Sequence, residues 1–475
     1  MTSEDDDRTL NPPRSTSRTQ AIRPDPRRLD QADPGWARGA ARPATLKQRV
    51  LLLATCALPL TGLVLAPGPT QALLHDGLFA LFGLTALTRL AAALTPRSQA
   101  APPQLGDPDL PGFTIIAPLY REAAVAPELV AALDRLDYPR DRLQALIVVE
   151  SDDPGTHDAL AALRLPAFVR VLTAPPGLPR TKPRACNIAL QQATGDLVTI
   201  YDAEDRPDPG QLREAAARFA VADARLACLQ APLRIEPDRR LLPAQFALEY
   251  AVQFEVLLPA LTRCGAPFPL GGTSNHFRTR ILRAVGGWDA WNVTEDADLG
   301  FRLAAEGYGM GVLNAPTWEP APGTLADWLP QRARWVKGYM QTFGVQSRDP
   351  PHWRMGAAAA FAITLGSTIV AAFLHGPLIA WVVVATVLGL ATDGRPWVSL
   401  SDGLLLTTGW AGAALAAIVG LRRAGSPLRL RDLLVLPVYW PLLSLAAAHA
   451  LVQLIDRPFH WDKTPHAPRT GQAGV

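Results

Sequence analysis

Membrane-length apolar blocks stand on both sides of a mixed middle section. Residues 50–67 and 72–94 are apolar, the second broken only by His75, Asp76 and Arg89. A run of about 20 apolar residues is long enough to cross the hydrocarbon of a bilayer as a tilted helix. After the middle section come 356–390, which is too long for one straight helix and is interrupted by Pro377, and then 404–421 and 433–455. Unless these blocks are core helices, the chain folds as a domain inserted between spans, with two spans over 49–95 and spanning or interfacial helices over 355–455. The basic residues Arg422, Arg423, Arg429 and Arg431 favour a cytoplasmic loop. A cytoplasmic tail over 456–475 also demands an even number of later spans, and the block lengths alone do not satisfy both conditions.

The stretch ahead of the first block, residues 1–48, is rich in Pro, Arg, Asp and Ser and buries too little apolar surface to offset its ordering entropy, so it is expected as a disordered tail. Its length ahead of the apolar run argues against a cleaved signal peptide. The four cysteines, Cys56, Cys186, Cys228 and Cys264, have no metal-ligand or disulfide spacing and read as isolated thiols. A net charge of +3 is too small to argue for nucleic acid.

Between the blocks, over residues 108–348, short β-like runs alternate with helical ones. "FTIIAPLY", "LQALIVVE" and "DLVTIYD" read as strands and "ELVAALDRL" as a helix. That alternation predicts a parallel sheet with helices on both faces, whose ligand lies beyond the carboxyl ends of the strands. Four clusters sit at such ends: Glu122 in "YRE", Glu150 and Asp152 in "ESDD", Lys182, Arg184 and Asn187 in "TKPRACN", and Asp202, Glu204 and Asp205 in "DAED". Carboxylates two apart after an apolar strand can present oxygens to one hard cation such as Mg2+ or Mn2+. A solvated acidic turn is the alternative. Lys182 and Arg184 read as phosphate contacts if they share the pocket.

Two further clusters lie just before the second apolar section. In "TEDADLGFRL", Glu295, Asp296 and Asp298 precede a helical run; they serve either to complement a helix N-terminus or to supply a general base. In "QRARW", Gln331, Arg334 and Trp335 share one helix face, with Trp328 near the same side. They form either an interfacial aromatic belt or a platform for a sugar ring beside a diphosphate.

In this order, "YRE", "ESDD", "TKPRACN", "DAED", "GGTSNHFR", "TEDADLGFRL" and "QRARW" resemble the inverting family-2 glycosyltransferases, specifically the membrane-embedded cellulose, chitin and hyaluronan synthase group. The tail pattern Trp461 to His466 is similar to that of bacterial synthases. The resemblance implies an α/β GT-A-type, Rossmann-like cytoplasmic catalytic domain between transmembrane helices of a bacterial inner membrane. It implies that Glu122, Glu150 and Asp152 border the uridine of a UDP-sugar donor and that Lys182 lies near its phosphates. Asp202 and Glu204 would hold Mg2+ or Mn2+, with Glu204 replacing the usual Asp and Asp205 able to share the role. Asp296 would be the base, and Gln331, Arg334, Trp335 and Thr273 would hold the acceptor end. The implied reaction extends a β-linked polysaccharide at the bilayer, with an export or regulatory partner protein if the chain's own spans do not suffice. Transfer of one sugar to a lipid acceptor and a membrane scaffold with an inactive domain are the competing readings.

Overall fold

The computed structural model describes residues 39–97, 101–348 and 355–461. The tails expected over 1–48 and 456–475 fall outside the described residues except for 39–48 and 456–461. The part of the first tail that is described is not loose. Ala40 N–H donates to Asp289 Oδ2 (2.6 Å), and Arg348 donates to the carbonyls of Gly39 (3.1 Å) and Arg42 (2.8 Å).

Helix α1 (Leu46–Leu65) starts inside that expected tail, under a capping box of Thr45 and Gln48. Only Ala66 separates it from α2 (Pro67–Leu94). Most of their surface is exposed and apolar, as for helices that meet lipid.

The middle section runs β1 (Phe113–Leu119), α3 (Ala126–Asp134), β2 (Leu143–Glu150), α4 (Pro154–Ala161), β3 (Val169–Ala174), α5 (Lys182–Gln192) and β4 (Leu197–Ile200). It continues with β5 (Arg206–Pro207), α6 (Gln211–Val221), β6 (Leu226–Gln230), β7 (Leu233–Ile235), α7 (Leu241–Val252) and α8 (Leu258–Arg263). Then follow β8 (Asn275–Arg278), α9 (Thr279–Ala284), α10 (Glu295–Ala305), β9 (Gly309–Val312), β10 (Thr317–Glu319) and α11 (Leu325–Gln346). The main sheet has the order β3-β2-β1-β4-β8-β6-β9. It is not wholly parallel: β8 pairs antiparallel with both β4 and β6. A small sheet of order β5-β10-β7 flanks it.

Strand β1 shows why the sheet is central. Its apolar run is buried on both faces, as strands covered by helices on each side must be. Phe113, Ile115 and Ala117 pack with Leu129 and Leu133 of α3 and Phe219 of α6. Ile116 points the other way, toward Cys186 and Leu190 of α5 and Leu299 of α10. The strand order reverses between β1 and β4, so the crevice beyond their carboxyl ends is the topological switch point of the fold.

Beyond the middle section lie α12 (Met355–Phe361), α13 (Ser367–Asp393), α14 (Leu400–Ala424), α15 (Leu430–Leu434) and α16 (Leu436–Asp456). Five helical runs, 46–65, 67–94, 355–393, 400–424 and 436–456, are long and apolar enough to cross a membrane. Pro377 does not interrupt α13, which continues through it. A proline removes one ladder hydrogen bond, and helices in apolar surroundings tolerate that where neighbours compensate. One residue before it, Gly376 N–H donates to Ser444 Oγ of α16 (2.9 Å).

Helix α16 is tied to the middle section near both of its ends. Near its start, Tyr439 OH accepts from Trp328 Nε1 of α11 (3.0 Å). Near its end, Gln453 Oε1 accepts from Lys337 Nζ (2.9 Å), and the carbonyls of Pro458 and His460 accept from Gln341 and Lys337. Both ends of α16 therefore bond the same helix of the middle section.

Candidate active site

The switch-point crevice opens into one cavity of about 800 Å³ that continues between the apolar helices. Its inner end is built by loops that follow β1, β2 and β4 and by the N-termini of α5 and α10. Its outer end is lined by α2, α11, α13 and α16.

At the inner end, Lys182 is the first residue of α5. Its Nζ lies 2.5 Å from Asp202 Oδ1 and donates to the carbonyl of Gly272 (2.6 Å). Burial works against its charge, but the carboxylates of Asp202 and Glu295 outweigh it and raise its pKa. Asp202 and Glu204, on the turn after β4, both line the cavity. Asp205, which could share a metal with them by sequence, is not part of the lining. It is buried beneath the turn, where its Oδ2 accepts from Asp202 N–H (2.7 Å) and from the Thr273 hydroxyl. Burial pushes its pKa well up, and the charges of Asp202 and Glu204 add to that.

Thr273 lines the cavity, yet its hydroxyl is committed to Asp205 and to the carbonyl of Ile200 (3.1 Å). It ties the loop of Gly272 to the acidic turn and has no free donor for an acceptor. Glu122 and Glu150 also line the cavity. Arg184 Nη1 sits 3.3 Å from both Glu150 oxygens. Burial raises the Glu150 pKa, and Arg184 opposes the rise. Asp152 lies outside the lining, paired at the surface with Arg180, which itself reaches the cavity. Asn187 is structural: it donates to the carbonyl of Trp288 (2.7 Å) and accepts from its N–H (2.9 Å).

Opposite the acidic turn, Glu295 and Asp296 open α10, with Thr294 as N-cap. An added methyl at Gly272 would lie 3.6 Å from Asp296 Oδ2 and 3.9 Å from Lys182 Nζ, so base candidate and cation face one small space. Burial raises the pKa of Asp296, while its helix amide, Lys182 and Arg334 hold it down. Burial and the neighbouring Asp296 push Glu295 up to about 8. Its Oε2 has no hydrogen-bond partner among the described residues. Both carboxyl groups of the pair are thus pushed by burial toward holding a proton, Glu295 by its neighbour's charge as well. Asp298 turns away, pairing with Arg302 (3.2 Å) and accepting from Gln346 (2.9 Å).

Gln331, Arg334 and Trp335 of α11 all line the cavity. Gln331 Oε1 is buried without a hydrogen-bond partner among the described residues, as an acceptor awaiting a ligand hydroxyl would be. The Arg334 guanidinium carbon lies 4.2 Å from the centroid of the Trp461 ring. Trp335 packs on Phe246 and Tyr250. Trp328, expected near the same side, is instead fully buried and outside the lining.

Sequence reasoning missed Arg332, Tyr339 and Glu249. Arg332 sits over the rings of Phe246, Trp328 and Trp335 and pairs with Glu249. Tyr339 follows Trp335 by one helical turn and lines the same wall, so extending the helix-face argument by one turn would have found it. Two segments flanking the cavity, Gln253–Leu257 and Ala362–Gly366, are π-helical, a local widening that recurs at functional sites.

The profile of the glycosyl transferase family group 2 matches residues 197–451. A probable glycosyltransferase of Bacillus subtilis is 26% identical over 238 residues, covering 48% of this chain and 56% of that one. A beta-monoglucosyldiacylglycerol synthase of Synechocystis is 28% identical over 275 residues, 56% of each chain. A poly-beta-1,6-N-acetyl-D-glucosamine synthase of Staphylococcus aureus is 24% identical over 237 residues, 50% of this chain and 56% of that one. The chain thus spans little more than half the length of these curated relatives. A solved mannosyltransferase of Pyrobaculum calidifontis, in complex with GDP-Man and Mn2+, superposes with a TM-score of 0.53 at 22% identity, covering 79% of this chain and 96% of that one. That likeness shows a shared GT-A-type fold.

Proposed function

Because the chain belongs to glycosyl transferase family group 2, and is a glycosyltransferase on that ground, we propose that it moves a sugar from a UDP-sugar to the hydroxyl of an amphiphilic acceptor at a bacterial inner membrane, its catalytic domain cytoplasmic. The observation that carries this reading is the single cavity running from the Lys182–Asp202 pair to apolar helix faces. A nucleotide diphosphate needs cations at one end, and an amphiphile needs an apolar wall at the other.

In this reading Glu122 and Glu150 border the base of the nucleotide, with Asp152 behind Arg180. Lys182 exchanges its contact with Asp202 for the diphosphate, a stronger charge-assisted partner. Asp296 takes the proton of the attacking hydroxyl as it displaces the diphosphate with inversion. Glu295, keeping its proton, leaves that charge on Asp296. Gln331, Arg334 and Trp335 hold the acceptor, and Thr273 keeps the loop beneath it in place.

No cluster of three or more His, Cys, Asp and Glu side chains suited to a metal occurs among the described residues. The two carboxylates that reach the cavity, Asp202 and Glu204, fit a divalent ion whose remaining ligands arrive with the donor phosphates. Mg2+ or Mn2+ held there would neutralise the leaving diphosphate.

Extension of a β-linked polysaccharide is the second reading, favoured by the unpartnered Gln331 acceptor beside Trp335. Purified protein supplied with a panel of UDP-sugars, a divalent metal and membrane lipid distinguishes the two. A single sugar in the lipid extract supports the first, and a ladder of polymer lengths the second. Nucleotide release indistinguishable from that of Asp296→Asn across the panel overturns both.

A further inference from the structure

Arg89 is a cation within α2, a helix otherwise apolar enough to span a membrane. It lines the cavity, and among the described residues it has no hydrogen bond or ion pair. The carboxylate that acts on it, Glu249, is already bonded to Arg332 and to Tyr439 OH (3.0 Å). Across the same cavity His375 of α13 lies between Phe82 and Trp440, with its buried Nδ1 lacking a hydrogen-bond partner among the described residues. Thr85 and Thr88 also line this end, but their hydroxyl protons go to the carbonyls of Leu81 and Leu84 (2.8 Å each), which leaves Arg89 as the fixed cation there.

A lone cation in such a helix is costly unless something pairs with it, and such residues mark ligand sites. Its depth narrows the choice. Arg89 lies about 8 Å along the axis from Leu94, the end of α2 nearest the catalytic domain. That end is fixed by Arg423, which donates to Thr95 (2.7 Å) and Glu255 carbonyls (2.8 Å). A helix of 28 residues is about 42 Å long against about 30 Å of hydrocarbon. A position as close to its end as Arg89 therefore falls near the lipid phosphates when the helix crosses a bilayer, and Ala91, Ala92, Ala372 and Leu443 give the cavity apolar wall there.

We infer that the membrane end of the cavity binds the phosphate of an anionic lipid through Arg89, with His375 opposite, so that the amphiphile occupying the acceptor half carries a phosphate ester. The choice of that lipid as acceptor rests on the reading of the chain as a glycosyltransferase; its binding does not. A free phosphate has the same charge, but nothing for the apolar walls to hold.

Native mass spectrometry of the full chain in detergent tests this without turnover. The probes are phosphatidic acid, diacylglycerol of the same chains, and inorganic phosphate. The expected result is retention of phosphatidic acid that weakens by about ten-fold or more in Arg89→Gln and less in Arg89→Lys. Diacylglycerol should bind all three proteins alike, and Asp296→Asn should hold phosphatidic acid as the parent does. If Arg89→Gln is not recovered folded, Arg89→Lys carries the test, because it keeps the charge and loses the fork of donors. Equal retention of phosphatidic acid by parent and variant overturns the site. Displacement of the lipid by inorganic phosphate at comparable concentration overturns its assignment to a lipid. Loss of nucleotide release with lipid binding intact would instead count against the glycosyltransferase reading alone.

Discussion

The two acidic clusters that face each other across the site differ in how their charge is handled. The turn of Asp202 to Asp205 meets a cation directly, Lys182 at 2.5 Å from Asp202, and buries its surplus carboxylate, Asp205, under hydrogen bonds. At the start of α10, Glu295 and Asp296 have no such ion pair among the described residues. Glu295 and Asp296 are crowded together, and burial raises the pKa of both. A paired carboxylate is suited to staying ionised beside a metal or phosphate. A carboxylate next to one that keeps its proton is suited to accepting another. Similar residue types thus acquire different chemistry from their surroundings.

The sharpest way to break this division is at the base. Asp296→Asn should lower turnover by about 10²- to 10⁴-fold while donor nucleotide binds as before, read by single-turnover rates and calorimetry. Loss of nucleotide binding in that variant would erase the distinction between the clusters. Lys182→Ala should act the opposite way, weakening donor binding by about ten- to hundred-fold through lost charge-assisted contacts. A change in turnover alone, with donor affinity intact, would refute the phosphate role.

Smaller effects sharpen the picture. Thr273→Ala removes the hydroxyl that bridges Asp205 and Ile200, and should cost about 1–3 kcal/mol of stability in denaturation, with Thr273→Ser restoring it. Glu295 gives a pH signature. Its folded pKa of about 8 lies above the ordinary 4.5. The folded chain therefore binds more protons than the unfolded one between those values, and the stability from this group falls as pH rises through that window and is flat above it. Glu295→Gln should lose less melting temperature than the parent between pH 5 and pH 8. An identical decline in both would mean that Glu295 does not hold the proton.

Much of this was legible in the sequence, and the failures have physical causes. The strand-end position of Asp202 followed from an apolar run ending in charge, because a buried strand can leave its polar groups only at its ends; Lys182, expected at such an end, instead opens a helix eight residues past β3. The reversed direction of β8 was not legible, since "NHFR" is too short and too polar to announce a pairing partner. Nor was the inward turn of Asp205, because orientation within a four-residue turn depends on which neighbour, here Thr273, supplies a donor. The face of α11 could be read from 3.6-residue spacing, whereas the depth of Trp328 depended on Tyr439 more than a hundred residues away. The ties of α16 were not legible either: composition marks it as long and apolar enough to cross a membrane, but its bonds to Trp328, Lys337 and Gln341 join residues more than a hundred positions apart.

The contact between α11 and the start of α10 has a mechanical consequence. At Gly338 the two elements touch so closely that a methyl group would come within 2.3 Å of Thr294 Oγ1. Thr294 caps the helix that carries Asp296, and Gly338 lies one turn beyond Arg334. On the proposed reading, base and acceptor wall therefore meet at a close-packed contact that leaves no room for even a methyl group between them. An acceptor held in the bilayer would then reach this seam by drifting sideways through the lipid until its head meets it.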